Sequence, residues 1–256
     1  MRIAVMGANG TLGRAVVDRA VSRGHDVVAV TRGAPKRAFF RAVHRSADVI
    51  TGEGIADALA GAEVVLNAVN ARRGARRLLV DGTKRLLEAA EAAGVRHYIA
   101  TSIVGIDRVP TGYYAIKRDE EAVVEAARIG WSLLRATQFH DLVDAIFSRS
   151  ARFGVVLAPS GARLQPIDVS EVAVRLVDAA EAGPKGRLAE IGGPEVVLLR
   201  DLARQWLDVT KRTRLVMPAP VPGQLGKSLR DGSLCTPDHA VGKKTFGQWL
   251  AERYGH

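Results

Sequence analysis

Tyr113 and Lys117 stand four residues apart, the spacing that brings two side chains to one face of a helix, and Thr101-Ser102 precedes them across a short loop. These types suit proton transfer to or from a carbonyl oxygen. A tyrosine phenol, with a reference pKa of about 10, is a poor acid or base near neutrality unless a cation steadies its phenolate. Lys117 would supply that cation, Ser102 would hydrogen-bond the oxygen, and Tyr113 would give or take the proton. Tyr114 competes for the role, but four residues on it meets Arg118, which stays charged and cannot tune a proton relay. His140 is assigned to a substrate pocket, either as a second proton donor or as a hydrogen-bonded structural residue. The six histidines show no i, i+4 pairing, and neither Cys235 nor a carboxylate completes a tetrahedral set, so no metal site is expected.

A second constellation lies at the start of the chain. Gly7-Ala8-Asn9-Gly10-Thr11-Leu12-Gly13 follows an apolar strand and opens a helix. Gly7 permits the tight turn, Gly10 removes the side chain where a pyrophosphate would approach, and Gly13 lets the helix pack close to the strand. The helix N-terminus then offers free N–H groups and partial positive charge to phosphates, so Gly7 to Gly13 reads as a dinucleotide cradle. The next strand selects between nucleotides. An acidic residue at its end would bind the ribose 2′-hydroxyl of NAD, whereas arginine there suits the 2′-phosphate of NADP. The strand ends Val30-Thr31-Arg32-Gly33, and Asp26 stands at its opposite end. Arg32, helped by Lys36 or Arg37, therefore points to NADP(H) as cofactor; a solvated basic loop is the alternative.

The elements that must position these residues alternate regularly. Candidate strands are Ile3 to Met6, Val27 to Thr31, a weak one near Ala42 to Ala47, Val64 to Ala68, His97 to Thr101, Ser132 to Leu134 and Leu188 to Ile191. All read as buried. Helical spacing occupies Thr11 to Arg23, Ala75 to Ala93, Lys117 to Ile129, Asp141 to Ala151 and Val169 to Ala182. Gly24, Gly61, Gly94 and Gly130 fall where a helix ends and a strand begins, the usual place for a left-handed residue. The expected fold is α/β, a doubly wound parallel Rossmann sheet over residues 1–155. Prolines crowd the chain beyond Gly154, so residues 156–256 read as a small C-terminal substrate lobe, interwoven with the main sheet near 186–195.

Composition narrows the classes further. With 47% hydrophobic and 25% charged residues among 256, the chain is neither disordered nor fibrous. One cysteine forms no internal disulfide, and Met1 to Met6 lacks the pattern of a signal peptide; a cytoplasmic protein with no membrane partner is expected. The net charge of +10 comes from 29 arginines and 8 lysines, part of which reflects arginine-rich coding composition. The rest clusters at Arg32 to Arg45 and at Arg72, Arg73, Arg76 and Arg77. Neither cluster is interleaved with aromatics, so no nucleic-acid partner is expected, only a small-molecule substrate.

The Gly7 to Gly13 loop, the Thr101-Ser102-Ile103-Val104-Gly105-Ile106-Asp107 run and Tyr113-Tyr114-Ala115-Ile116-Lys117 resemble the atypical short-chain dehydrogenase/reductases, and more narrowly their NmrA-like NAD(P)H-binding branch. The likeness continues through Gln138-Phe139-His140-Asp141, Gln165 to Val169, Gly192-Gly193-Pro194, Thr245-Phe246 and Trp249-Leu250, and so spans nearly the whole chain. The resemblance implies that Asp48-Val49 lie near the adenine, Ala68-Val69-Asn70 near the ribose and pyrophosphate, and Thr137-Gln138-Phe139 near the nicotinamide. Thr101 and Lys117 count among the cofactor contacts as well. It implies an NADPH-dependent oxidoreductase acting on a carbonyl or quinone of a small, fairly apolar molecule. The same family also contains non-enzymatic nucleotide-sensing regulators, and an epimerase-type reaction that keeps its cofactor is a third reading.

Overall fold

Aliphatic runs of four to seven residues, buried on both faces, are what a parallel sheet covered by helices requires. The structure, a computed structural model, describes residues 1–71 and 73–255; Arg72 of the arginine cluster and His256 lie outside the described residues. Along the chain the strands are β1 (Arg2–Met6), β2 (Asp26–Thr31), β3 (Val43–Ser46), β4 (Val64–Asn67), β5 (His97–Ile103), β6 (Gly130–Ala136), β7 (Val155–Leu157), β8 (Arg163–Leu164), β9 (Gly186–Arg187), β10 (Val197–Leu198) and β11 (Leu215–Met217). The α-helices are α1 (Thr11–Ser22), α2 (Ile55–Leu59), α3 (Gly82–Ala92), α4 (Gly112–Glu125), α5 (His140–Ala151), α6 (Val169–Ala182), α7 (Leu199–Thr210), α8 (Gly223–Asp231) and α9 (Phe246–Tyr254).

The chain forms two compact units, each assembled from separate stretches. One comprises Met1–Ser102, Thr111–Leu134 and Val172–Leu188; the other comprises Ile103–Pro110, Arg135–Glu171 and Ala189–His256. The first holds a seven-stranded sheet in the order β3-β2-β1-β4-β5-β6-β9, a doubly wound Rossmann arrangement. Strand order reverses between β1 and β4, and ligands of such sheets bind outside the carboxyl ends at that reversal. Ile3, Ala4 and Val5 of β1 are wholly buried, and Ala4 shares one core with Val28, Val30, Val65, Leu86 and Tyr98.

Four details differ from the sequence expectation. β3 is not buried: it is the sheet edge, and Val43 is 42% exposed. The last strand is Gly186–Arg187 rather than Leu188 to Ile191, because beyond Leu188 the chain leaves the first unit and Ile191 makes only an isolated bridge to Ala136. The helix expected from Ala75 begins as a π-helical turn, Arg76–Asp81, before continuing as α3. Gly24, Gly61 and Gly94 adopt positive φ, but Gly130 does not; a side chain there would stand 2.4 Å from Pro184, so close packing requires the glycine.

In the second unit, α5, α7 and α9 enclose Val143, Phe147, Trp206, Phe246, Trp249 and Leu250. Asp144 anchors this apolar cluster, its Oδ1 accepting from Trp206 Nε1 at 2.7 Å and from the Tyr254 hydroxyl at 2.9 Å. Two small sheets, β8 with β10 and β7 with β11, complete the unit. Among the described residues no helix is long and apolar enough to cross a membrane.

Candidate functional site

The glycine loop closes tightly between β1 and α1. Gly7 has φ +77°, and a Cβ on it would lie 2.9 Å from the backbone of Ala68 and Val69; on Gly13 it would lie 2.3 Å from the Gly7 carbonyl oxygen. Gly10 precedes α1 without a side-chain cap, and the first turn holds no acidic residue. The opening N–H groups of α1, from exposed Thr11 through buried Leu12 to Gly13, thus keep their donors and their positive end for an anion. These residues fit the pyrophosphate of a dinucleotide.

Two side chains fasten the basic loop to this cradle. Asn9 Nδ2 donates to the Ala34 carbonyl at 3.2 Å, and its Oδ1 accepts from Lys36 N at 2.9 Å. Arg14 donates to the carbonyl of Arg37 at 2.9 Å and of Ala38 at 3.4 Å, with its guanidinium 4.4 Å from the Phe39 ring centroid. Asn9 and Arg14 therefore spend their polar groups on the loop backbone. The side chains of Arg32, Lys36 and Arg37 are left exposed, and none makes an ion pair among the described residues. Asp26, at the other end of β2, pairs with Arg2 at 3.7 Å.

Asp48 bends its own loop, Oδ1 accepting from Ile50 N at 2.7 Å, and Val49 is buried against Gly82. At the end of β4, Ala68 N bonds to the Met6 carbonyl, and Val69 N donates to Asn67 Oδ1 at 3.1 Å. Exposed Asn70 accepts the Tyr113 hydroxyl on Oδ1 at 2.7 Å, tying the loop after β4 to the first turn of α4. Tyr113 and Tyr114 meet edge to face, with centroids 6.3 Å apart.

Lys117, one turn further along α4, is buried, and its partner was not anticipated. Its Nζ donates to Glu120 Oε2 at 2.5 Å and to the Thr101 carbonyl at 2.8 Å. Beyond Glu120 the polar chain continues through Thr83, at a long 3.5 Å, to Asn67, whose Nδ2 also reaches the Tyr98 hydroxyl at 2.8 Å. Thr101, Ser102, Lys117, Glu120 and Glu121 line one gap too narrow for a water molecule. Burial opposes charge on Lys117, but the Glu120 carboxylate, with Tyr113 and Glu121 beside it, outweighs burial and holds the ammonium above its usual range. Burial likewise raises the Glu120 carboxyl against the pull of Lys117, and raises the phenol of Tyr98. The proton is thereby kept within the pair. Glu120 was legible as an i+3 carboxylate; Asn67, Thr83 and Tyr98 sit in apolar or helical runs and gave no signal.

Beside these groups, Ser102 Oγ and Thr101 Oγ1 are buried and have no hydrogen-bond partner among the described residues. Buried hydroxyls without partners are rare, and near the carboxyl end of a strand of the parallel sheet they suit a ligand.

The remaining assigned residues belong to the second unit. Thr137 Oγ1 donates to the Gln165 carbonyl at 2.5 Å and accepts from Gly193 N at 3.3 Å. Gln138 is likewise spent, on the Leu234 carbonyl and on Gln165 N. Half-buried Phe139 precedes α5 and bridges Ile167. His140 is fully buried, with its ring against Phe246 and Trp249 and Nε2 3.0 Å from the Lys244 carbonyl. That carbonyl accepts the Nε2 proton, and burial lowers the pKa, which accords with the hydrogen-bonded structural alternative for this histidine.

Of the second arginine cluster, Arg76 pairs with Asp119, and Arg76 and Arg77 edge an open depression with Asp81 and Ile116. Among the described residues no group of three or more His, Cys, Asp or Glu converges on a metal-sized site.

Residues 7–180 match the profile of a family described as NAD(P)H-binding. An uncharacterized protein of Mycobacterium tuberculosis is 35% identical over 102 residues, 40% of this chain and 12% of that protein. The 3-diazoavenalumate denitrifying reductase of a Streptomyces species is 34% identical over 145 residues, 52% of this chain and 47% of that protein. The chain thus spans less than half the length of these relatives. Quinone oxidoreductase 2 of Escherichia coli is 26% identical over 254 residues, covering 96% of this chain and 82% of that one. The fold matches the crystal structure of the NADPH-dependent quinone oxidoreductase of Escherichia coli in complex with NADPH, with a TM-score of 0.82 at 20% identity over 98% of this chain and 99% of that one. With residues 7–180, more than half its length, inside the family profile, the chain belongs to the family described as NAD(P)H-binding.

Proposed function

We propose that this protein is an NADPH-dependent oxidoreductase that reduces a carbonyl or quinone of a small, fairly apolar molecule. The observation that carries the reading is the pair of buried, unpartnered hydroxyls of Thr101 and Ser102 at the end of β5, next to the helix bearing Tyr113 and Lys117. When bound, the reduced nicotinamide supplies the hydride. Ser102 orients the acceptor oxygen, and Tyr113 delivers the proton to that oxygen as it gains electrons. Lys117 fixes the end of β5 through the Thr101 carbonyl and, as the resemblance implies, holds the nucleotide ribose. The resemblance further implies Asp48 and Val49 near the adenine, and Thr137, Gln138 and Phe139 near the nicotinamide.

Preference for NADPH rests on the exposed, unpaired Arg32, Lys36 and Arg37, held beside the cradle by Asn9 and Arg14. Three cations without carboxylate partners favour a phosphate over a hydroxyl.

The test follows NADPH absorbance with a panel of benzoquinones, naphthoquinones and simple ketones, using Tyr113→Phe as the control. The expected result is consumption of NADPH with at least one quinone, reduced at least tenfold in the variant. Tight NADPH binding with no consumption across the panel would overturn the reading in favour of a nucleotide-sensing regulator. Turnover of a sugar nucleotide with no net change in the nucleotide would favour an epimerase.

A further inference from the structure

An apolar face of the second unit stands uncovered. β7 and β11 lie parallel and in register, Val155 beside Leu215, Val156 beside Val216 and Leu157 beside Met217. Side chains alternate between the faces of a strand, and the middle pair points inward: Val156 is wholly buried, and Val216 packs on the core that Phe147 and Trp206 share. Leu157, Leu215 and Met217 therefore stand on the outer face, with Leu215 72% exposed, and Phe153 in the turn between α5 and β7 is 83% exposed. Single apolar side chains on a surface are ordinary, whereas a cluster on so small a sheet marks a contact. The surroundings are cationic. Arg149 and Arg152 at the end of α5, and Lys211, Arg212 and Arg214 before β11, are exposed, and none pairs with a carboxylate among the described residues. Arg214 Nε donates to the Ala151 carbonyl at 3.3 Å and the Arg212 guanidinium lies 5.1 Å from the Trp206 ring centroid, neutral partners that leave both charges intact. The sequence holds no Asp or Glu from 145 to 167 or from 209 to 230. A second copy of this chain would bring like charges together, so the occupant is apolar and anionic at once.

We propose that this face docks peripherally on anionic phospholipid bilayers, with Phe153, Leu157, Leu215 and Met217 entering the boundary between headgroups and acyl chains and the surrounding cations meeting the lipid phosphates. Side chains that stand out from a strand pair and a turn enter a fluid phase without a groove to receive them, and long arginine and lysine stems let the charges rise to the headgroups. The contact is with the bilayer surface and needs no spanning helix. An apolar quinone or carbonyl, the acceptor proposed above, partitions into the same phase, but the docking stands on its own residues and not on that reading.

The test is co-sedimentation of the full chain with vesicles of phosphatidylcholine alone and of phosphatidylcholine with about 30% phosphatidylglycerol, at about 0.1 M salt. A chain of net charge +10 adheres to any anionic surface, so variants must separate this face from the rest. Phe153→Ser, Leu215→Ser and the pair Arg149→Gln with Arg152→Gln, all at exposed positions, should each weaken binding to the anionic vesicles at least about tenfold. The pair Arg128→Gln with Lys185→Gln removes the same charge from exposed sites of the first unit and should leave binding within about threefold. Phe153→Trp should add a fluorescence that lipids brominated in the acyl chain quench. Equal losses in the two charge pairs without that quenching overturn the proposal in favour of diffuse adhesion. Absence of affinity for the anionic vesicles overturns it as well, leaving the face to an acidic protein, and so does a concentration-dependent dimer that Phe153→Ser abolishes. Failure of quinone turnover beside intact vesicle binding overturns only the oxidoreductase reading.

Discussion

Acidification should weaken this protein through His97. The imidazole is 2% exposed inside the first unit, Nε2 lies 2.8 Å from Ser132 Oγ, and Nδ1 has no partner. Ser132 Oγ also accepts from Lys185 N at 3.1 Å, so a second ring proton would find no acceptor in the core. Burial accordingly lowers the pKa from 6.5 to about 4. The sign follows. Above pH 6.5 folded and unfolded histidine are both neutral; below it the unfolded chain takes up a proton that the folded chain refuses until about pH 4. Stability is present above 6.5 and lost on descent, at about 1.4 kcal/mol per pH unit. Over the 2.5 units the loss is about 3.4 kcal/mol, and between pH 6.5 and 4.5 about 2.7. That is a large share of a typical net stability of about 5–15 kcal/mol. Urea unfolding of wild type and His97→Gln from pH 7 to 4.5, followed by tryptophan fluorescence and circular dichroism, isolates the residue, since carboxylates titrate alike in both. The wild type should lose about 2.7 kcal/mol more than the variant over that range. Parallel curves would refute the reasoning and show that the folded state accommodates the charged ring.

Other consequences are equally measurable. Arg32→Glu places a like charge where a 2′-phosphate would lie and should weaken NADPH about 10- to 100-fold while leaving NADH within about threefold; equal losses in paired calorimetric titrations would remove the NADP assignment. Gly13→Ala forces a methyl to within 2.3 Å of the Gly7 carbonyl, so nucleotide binding should fall at least tenfold or the chain fail to fold; unchanged affinity would mean the cradle relaxes freely. Asp144→Ala strands Trp206 Nε1–H and the Tyr254 hydroxyl, and should cost about 3–5 kcal/mol in urea unfolding; a loss under about 1 kcal/mol would show the donors find other acceptors.

How far each feature could be read depended on its range along the chain. β1, β2, β4 and β5 were legible because strands covered on both faces must be continuously apolar, and the glycine cradle because its constraints fall within seven residues. Edge strand β3 escaped burial because it has one neighbour. Arg32, Lys36 and Arg37 were visible as a charge run, but their tethering was not: Asn9 and Arg14 reach 23 to 27 residues ahead to do it. The chain from Asn67 through Thr83 and Glu120 to Lys117 draws on three elements, and no local pattern announces such a network. The surroundings of His140 were hidden for the same reason of range. Its place after β6 suggested a pocket, while Phe246 and Trp249, which cover it, come more than a hundred residues later.

The discontinuity of the two units bears on how this chain can be divided. Passage between them occurs after residues 102, 110, 134, 171 and 188. A fragment ending at 155 would lack Val172–Leu188, and with it β9, which pairs with Ser132 and Leu133 of β6, and Asp178 and Glu181, which hold Arg23 at 2.9 Å. Recombination, domain grafting and expression of isolated halves would each sever the nucleotide-binding unit from part of its own sheet. Neither unit can therefore be exchanged as a single continuous module.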